Sequence, residues 1–144
     1  MGPEAEHTIH EAELVGLLLA LYLIGTEKRG ATTCSVAVDN QAALKAFDLE
    51  LRKPGHHLVQ EILLIANWIH KCRSKQKYLL MLRWTAGHIS IPGNEKVDRE
   101  AKKAADNHTS DKEHLPPYLR KLLLINSSAV IRKRNDKHSK VKSN

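Results

Sequence analysis

The chain has 144 residues and a formal net charge of +7, from 23 lysines and arginines against 16 aspartates and glutamates. This length fits one domain, and 42% hydrophobic residues are enough for a core, which excludes a wholly disordered chain. The 2 cysteines lie far apart, which excludes a disulfide-stapled scaffold and a cysteine-based zinc finger. The positive charge indicates a polyanionic partner, although such a charge also serves solubility alone.

The longest apolar run, residues 14–24, is about half as long as a membrane-spanning helix. Acidic residues precede this run, whereas a signal peptide begins with basic residues. The sequence therefore predicts an intracellular protein, nuclear or cytoplasmic, with no membrane partner.

The first predicted element is a helix that begins after Thr8. Glu11 completes a capping box with Thr8, leucines follow at helical spacing, and Gly25 is the predicted stop. The later predicted elements are a strand at 31–38, a helix at 40–51, an amphipathic helix at 58–71, a buried strand at 78–84, a helix at 94–105 and a short helix at 118–125.

Strands that are joined by long helical connections pair in parallel, so the sequence predicts an α/β fold with two parallel strands and covering helices. Two strands are few for a parallel sheet, and we expect the other strands of this fold to be absent. We expect a domain at residues 1–107, a linker with a short helix at 108–130, and a basic tail at 131–144. The tail is either a solvated disordered segment or a nucleic-acid-binding arm.

Three carboxylates lie where predicted elements begin or end. Glu13 lies on the apolar face of the first helix, Asp39 follows the first strand, and Asp98 lies in the first turns of the last predicted long helix. Each also has a structural interpretation, as a rim residue, a helix N-cap or a helix-dipole partner, respectively. His88 lies in a loop, where histidines are usually exposed and inert. Clustered carboxylates stay ionised beside cations, and their oxygens suit Mg²⁺ or Mn²⁺, as in two-metal phosphodiester hydrolysis.

Three runs of the sequence resemble type 1 ribonuclease H domains. They are residues 7–14, residues 38–44 and, most specifically, residues 83–98, which contain a Trp, a Gly-His pair and a Gly-Asn-Glu triplet before the final Asp. Residues 53–55 and 115–121 look like the ribonuclease H region of fungal-type non-LTR retrotransposon (reverse transcriptase) polyproteins. The resemblance covers residues 2 to about 130.

This resemblance implies a ribonuclease-H-like fold and metal-dependent endonucleolytic hydrolysis of the RNA strand of RNA–DNA hybrids at a site for two Mg²⁺ or Mn²⁺ ions. It matches Glu13, Asp39 and Asp98 to three of the family's four catalytic, metal-binding carboxylates. It matches His88 to a histidine that assists proton transfer or product release. The first carboxylate and the three N-terminal strands of the family have no counterpart here, which implies impaired activity. The alternative is a catalytically inactive, retroelement-derived fragment that binds nucleic acid or another partner.

Further positions are matched to substrate contacts or lie near a basic surface that holds the DNA strand in the family. They are Asn40, Gln41 and Asn94 for the hybrid, and Lys71, Arg73 and Lys75 for the basic surface. A solvated basic loop is an equal alternative for the last three. Because the absent strands expose a sheet edge, we also expect self-association or a partner chain that supplies them.

Overall fold

The structure is a computed structural model, and it describes residues 7–27, 33–45, 47, 55–73, 79–86, 92–105, 111–125 and 131. The elements are α1 (Ile9–Thr26), β1 (Thr33–Val38), α2 (Gln41–Lys45), α3 (His56–Cys72), β2 (Leu79–Trp84) and α4 (Pro92–Ala105), followed by 3₁₀ turns at Lys112–His114 and Pro117–Arg120. The strands β1 and β2 pair in parallel in one sheet. The predicted mixed α/β fold with two parallel strands and helices is therefore confirmed.

The start of α1 is the predicted capping box. The Thr8 hydroxyl accepts a hydrogen bond from the Glu11 backbone N–H at 3.2 Å, and the Glu11 carboxylate accepts one from the Thr8 N–H at 2.9 Å. The predicted stop at Gly25 is wrong, because α1 continues to Thr26. Gly25 is where the Trp68 ring packs on α1, and a Cβ atom at Gly25 would collide with that ring.

The core lies mainly between α1 and α3, with contributions from β1 and α2. Its buried residues are Leu14, Leu17, Leu18 and Leu21 of α1, Leu58, Val59, Ile62 and Ile69 of α3, Val38 and Ala43. Gly55 allows α3 to begin this close to α1. Its φ is +83°, and a Cβ atom there would lie 3.0 Å from the Leu14 side chain. Glycine satisfies both the left-handed backbone and the close approach.

The prediction that the second strand is buried is wrong. Leu80 is half-buried, whereas Leu79, Met81 and Leu82 are 52%, 43% and 37% exposed. Helix α1 packs mainly on α3, and the main described helical neighbour of β2 is the five-residue α2. The apolar run of β2 is therefore only partly covered by the described elements.

The remaining elements differ in how they pack. All side chains of α4 that the structure describes are exposed, and the helix begins at Pro92, two residues before the predicted start.

After α4, Pro116 is fully buried, and Tyr118, Leu119 and Leu123 pack against the core. A short helix was predicted at 118–125, whereas the structure has a 3₁₀ turn at Pro117–Arg120. Of the helix predicted at 40–51, residues 41–45 form α2, and residues 46 and 48–51 lie outside the described residues.

Helix α1 is long and apolar enough to cross a membrane by length and composition, with a mean hydropathy of 1.5 over 18 residues. A core helix of a soluble protein passes the same test, and α1 packs its leucines against α3. Localisation stays a prediction.

Candidate functional site

The carboxyl ends of β1 and β2 lie side by side. Val38 pairs with Trp84, and the Thr85 N–H continues the ladder by donating to the Val38 carbonyl at 3.0 Å. The Trp84 indole N–H donates to the Asp39 carbonyl at 3.1 Å. These bonds hold the backbone at Asp39 against the end of β2. Sequence reasoning used Trp84 as a family marker and missed this positioning contact, which a tryptophan at a strand end could have suggested.

The N-terminus of α2 is capped by Asn40. The Asn40 side-chain oxygen accepts a hydrogen bond from the Ala43 N–H at 3.3 Å, as expected of an N-cap residue. The structural interpretation of Asp39 as the cap of this helix is therefore wrong. Asp39 is exposed at the carboxyl end of β1, which is the edge where α/β sheets bind ligands. A substrate contact by Asn40 or by the exposed Gln41 stays a prediction.

Glu13 is half-buried on α1, two residues after Glu11 of the capping box. Burial raises the pKa of its carboxyl above the ordinary value, and the charges of Asp39 and Asp98 raise it further. Like charges act this way only across short distances, because solvent and salt screen them rapidly. Asp39 at the β1 end and Asp98 on α4 are therefore the carboxylates whose charges act on Glu13 of α1, and we call these three residues the acidic cluster: Glu13, Asp39 and Asp98.

The acidic cluster is open rather than closed around a cavity. Asp39 and Asp98 are exposed, and no three or more His, Cys, Asp or Glu side chains form a metal-holding group within the part of the chain that the structure describes. His88 and Lys75 lie outside the described residues. Asn94 lies in the first turn of α4, and the structure does not describe its side chain.

Arg73 joins two helix ends. Its guanidinium donates to the carbonyls of Ile24 and Glu27, both at 2.9 Å, and so satisfies carbonyls at the C-terminal end of α1. Sequence reasoning predicted a nucleic-acid contact for Arg73 and missed this contact. Lys71 is exposed near the end of α3. Contacts of Lys71 and Arg73 with nucleic acid stay predictions.

The structure is an α/β domain with two parallel strands and an exposed carboxylate, Asp39, at the carboxyl end of β1. No family model, curated protein or solved structure matches the chain. Any more specific assignment therefore depends on the motifs and on the geometry of the cluster.

Proposed function

We propose that this chain is a ribonuclease-H-like domain that binds RNA–DNA hybrids and brings Glu13, Asp39 and Asp98 to the phosphodiester backbone. The observation that carries the proposal is that the charges of Asp39 and Asp98 both raise the pKa of Glu13. The three residues belong to different elements and are the same three that the ribonuclease H resemblance selects. If Glu13, Asp39 and Asp98 served only as a rim residue, a helix cap and a helix-dipole partner, their charges would not need to act on one another.

The donor chemistry of the acidic cluster fits Mg²⁺ or Mn²⁺. Hard carboxylate oxygens are the ligands these ions prefer, and a divalent cation would relieve the repulsion that raises the pKa of Glu13. Glu13, Asp39 and Asp98 would hold the metal, with Glu13 as the half-buried ligand and Asp39 and Asp98 as the two exposed ligands. When bound, such ions activate water and stabilise the leaving oxygen in phosphodiester hydrolysis.

A non-catalytic hybrid-binding module is the second candidate. It is favoured by the lack of a three-donor metal-holding group in the described ranges, and by the match of only three of the family's four carboxylates. Both candidates bind the same substrate. They differ in whether the acidic cluster takes up metal and cleaves RNA.

Metal binding is tested by a Mg²⁺ and Mn²⁺ titration followed by thermal unfolding. We expect the metal to raise the melting temperature of the wild type by mass action, and to do so much less for Asp39→Asn. Asp111→Asn is the matched control, because Asp111 is exposed and lies outside the cluster. Equal metal shifts in all three proteins would contradict the metal site.

Hydrolysis is tested with the same three proteins and an RNA–DNA hybrid that is labelled on the RNA strand. Metal-dependent cleavage that is lost in Asp39→Asn and kept in Asp111→Asn supports the nuclease. Salt-dependent hybrid binding without cleavage supports the binding module. No hybrid binding at low salt would contradict both candidates.

A further inference from the structure

A cavity of about 250 Å³ lies between α1, α3 and residues 116–118. Its lining includes the aromatic side chains of Tyr22, Trp68 and Tyr118, and we call it the aromatic cavity. The chain has 2 tryptophans, 3 tyrosines and 1 phenylalanine, so half of these rings line one cavity. Among the described residues the buried core consists of leucine, isoleucine, valine and alanine. The rings are therefore concentrated at the cavity rather than in the core.

Packing outside the aromatic cavity holds two of its rings in place. The Trp68 ring packs on Gly25 of α1, and the Tyr118 ring lies 6.3 Å from the His57 ring of α3, measured between ring centroids. The neighbouring Pro116 is fully buried, which anchors the turn that carries Tyr118. The walls of the cavity are therefore formed without a ligand, as in most binding pockets.

Glu61 is the one charged residue among the described residues that line the aromatic cavity. It is half-buried, and within the part of the chain that the structure describes it forms no salt bridge. Burial and the charge of Glu61 raise the pKa of the Tyr118 hydroxyl, so Tyr118 stays neutral while the negative charge of Glu61 acts on it. A carboxylate beside aromatic rings attracts a cation, because the faces of the rings are also negative.

The aromatic cavity suits a cation that has no N–H groups. A lysine ammonium brings three N–H donors and an arginine guanidinium brings five. The polar side-chain groups that line the cavity are only the carboxylate of Glu61 and the hydroxyls of Tyr22 and Tyr118. Donors left unpaired in such an apolar setting are costly. A quaternary ammonium group has no donors to satisfy, and aromatic side chains attract its charge.

The size and the border of the aromatic cavity indicate how such a group is carried. The cavity is smaller than the range of about 300–1,000 Å³ that drug-sized ligands occupy, so it takes a small group. Leu64 is 61% exposed and Pro117 is also exposed, and both line the cavity. They offer apolar contacts to a chain that carries the bound group. A small group on a longer chain therefore fits better than a large free ligand.

We propose that the aromatic cavity binds the trimethylammonium group of a trimethylated lysine in a partner peptide. Glu61 and the three aromatic rings attract the positive charge, and the flanking peptide contacts Leu64 and Pro117. The site is separate from the acidic cluster, because Tyr22 lies nine residues after Glu13, about 13 Å further along α1. It is therefore independent of the proposed function and adds a protein partner.

Nuclear magnetic resonance titrations of the full chain with a short trimethyl-lysine peptide test the proposal. Matched peptides carry unmodified lysine, or a neutral tert-butyl isostere in which carbon replaces the charged nitrogen. The 2 tryptophans give separate indole N–H signals. We expect the Trp68 signal to shift and the Trp84 signal to stay, because Trp84 ends β2 and donates its indole N–H to Asp39. The trimethylated peptide should bind about fivefold or more tightly than either matched peptide.

Two substitutions and a control locate the site. Glu61→Gln removes the charge and should weaken binding of the trimethylated peptide about threefold or more, with little effect on the isostere. Trp68→Leu removes the ring and should weaken it about fivefold or more. Glu113→Gln is the matched control and should bind as the wild type does, because Glu113 is exposed and lies outside the cavity. Thermal unfolding checks each variant, and Glu61→Gln, which keeps the size of the side chain, decides the matter if Trp68→Leu does not fold.

Several results would overturn the proposal. Equal binding of the trimethylated and neutral peptides would identify an apolar groove, and equal binding of unmodified lysine would identify a general cation site. Choline that binds as tightly as the trimethylated peptide would identify a site for a free small ligand. A Trp68 signal that does not shift, or equal losses in Glu61→Gln and Glu113→Gln, would place any binding outside the aromatic cavity.

Discussion

The α1–α3 pair and the sheet are packed in very different ways. In the helical pair, Leu14 and Leu18 are 0% exposed and Leu58 is 1% exposed, whereas in β2 Leu79 is 52% exposed. Both regions are rich in leucine, so composition does not explain the difference. The helices bury an apolar face against each other, while the described elements cover β2 only in part. We infer that the stability of the described fold comes from the helical pair and that the sheet is the adaptable region.

Leucine truncation in each region gives the largest expected effect. Leu18→Ala should cost about 2–5 kcal/mol of the free energy of unfolding, because it leaves a cavity in a closed core. Leu79→Ala in β2 should cost less than about 1 kcal/mol, since more than half of its side chain already contacts water. Urea unfolding measures the stability loss of each variant, provided that the wild type and both variants unfold with equal m-values. Equal costs would show that β2 is as closely packed as the helical pair.

Two glycines on α1 sharpen the comparison within the helical pair. Gly25→Ala should destabilise by about 1–3 kcal/mol, because the added methyl group displaces the Trp68 ring. Gly16 has no heavy atom within 4 Å of such a methyl group, so Gly16→Ala should stabilise by up to about 1 kcal/mol through helix propensity. Thermal unfolding compares the two. If both variants are stabilised alike, Trp68 does not pack on Gly25 in solution.

The outer face of the sheet is the expected site of self-association. Leu79 pairs in register with Thr33, and both are exposed. Each strand of this two-stranded sheet has one edge without a paired neighbour among the described residues. Unpaired edges and exposed apolar side chains recruit other chains. Leu79→Lys should raise the dissociation constant of the self-associated form about tenfold, which corresponds to about 1.4 kcal/mol of association free energy.

Sedimentation at several protein concentrations measures this association. Val97→Lys on α4 is the control, because Val97 is also apolar and 66% exposed. A wild type that is monomeric at every concentration, or equal effects of the two variants, would rule out the sheet as the association site.

The smallest expected effect is at Glu13. Because its pKa is raised in the folded chain, the folded state binds a proton more readily than the unfolded state. The stability of the wild type therefore falls as pH rises from the ordinary pKa through the raised pKa, and is level above it. Glu13→Gln removes this penalty and should stabilise by less than about 1 kcal/mol at neutral pH, since Glu13 is only half-buried.

The gain from Glu13→Gln should disappear in acid, where Glu13 is protonated in both folded and unfolded states. Chemical unfolding of the wild type and the variant across this pH range measures the difference. A gain that does not change with pH would mean that the substitution acts through packing rather than charge.

Features that depend on neighbours in the chain were predictable. The capping box needs only Thr8 and Glu11, three residues apart, and the apolar face of α1 needs only leucines at helical spacing. The parallel pairing of β1 and β2 followed from the long connection between them. The candidate residues Glu13, Asp39 and Asp98 were likewise selected from motifs in the sequence.

Features that depend on distant residues were not predictable. Gly25 looks like a helix stop until Trp68, 43 positions later, is known to pack on it. Asp39 and Asn40 are equally good N-cap residues by type. In the structure Asn40 caps α2, and the Trp84 indole N–H donates to the Asp39 carbonyl.

The sequence by itself determined where α1 begins, which face of it is apolar, and that the strands run parallel, because these depend on local hydrogen bonds, spacing and connection length. Only the tertiary structure decided that β2 is largely exposed and that burial and the charges of Asp39 and Asp98 raise the pKa of Glu13. Burial and like-charge repulsion are set by distances between residues far apart in the chain, and no local pattern encodes those distances.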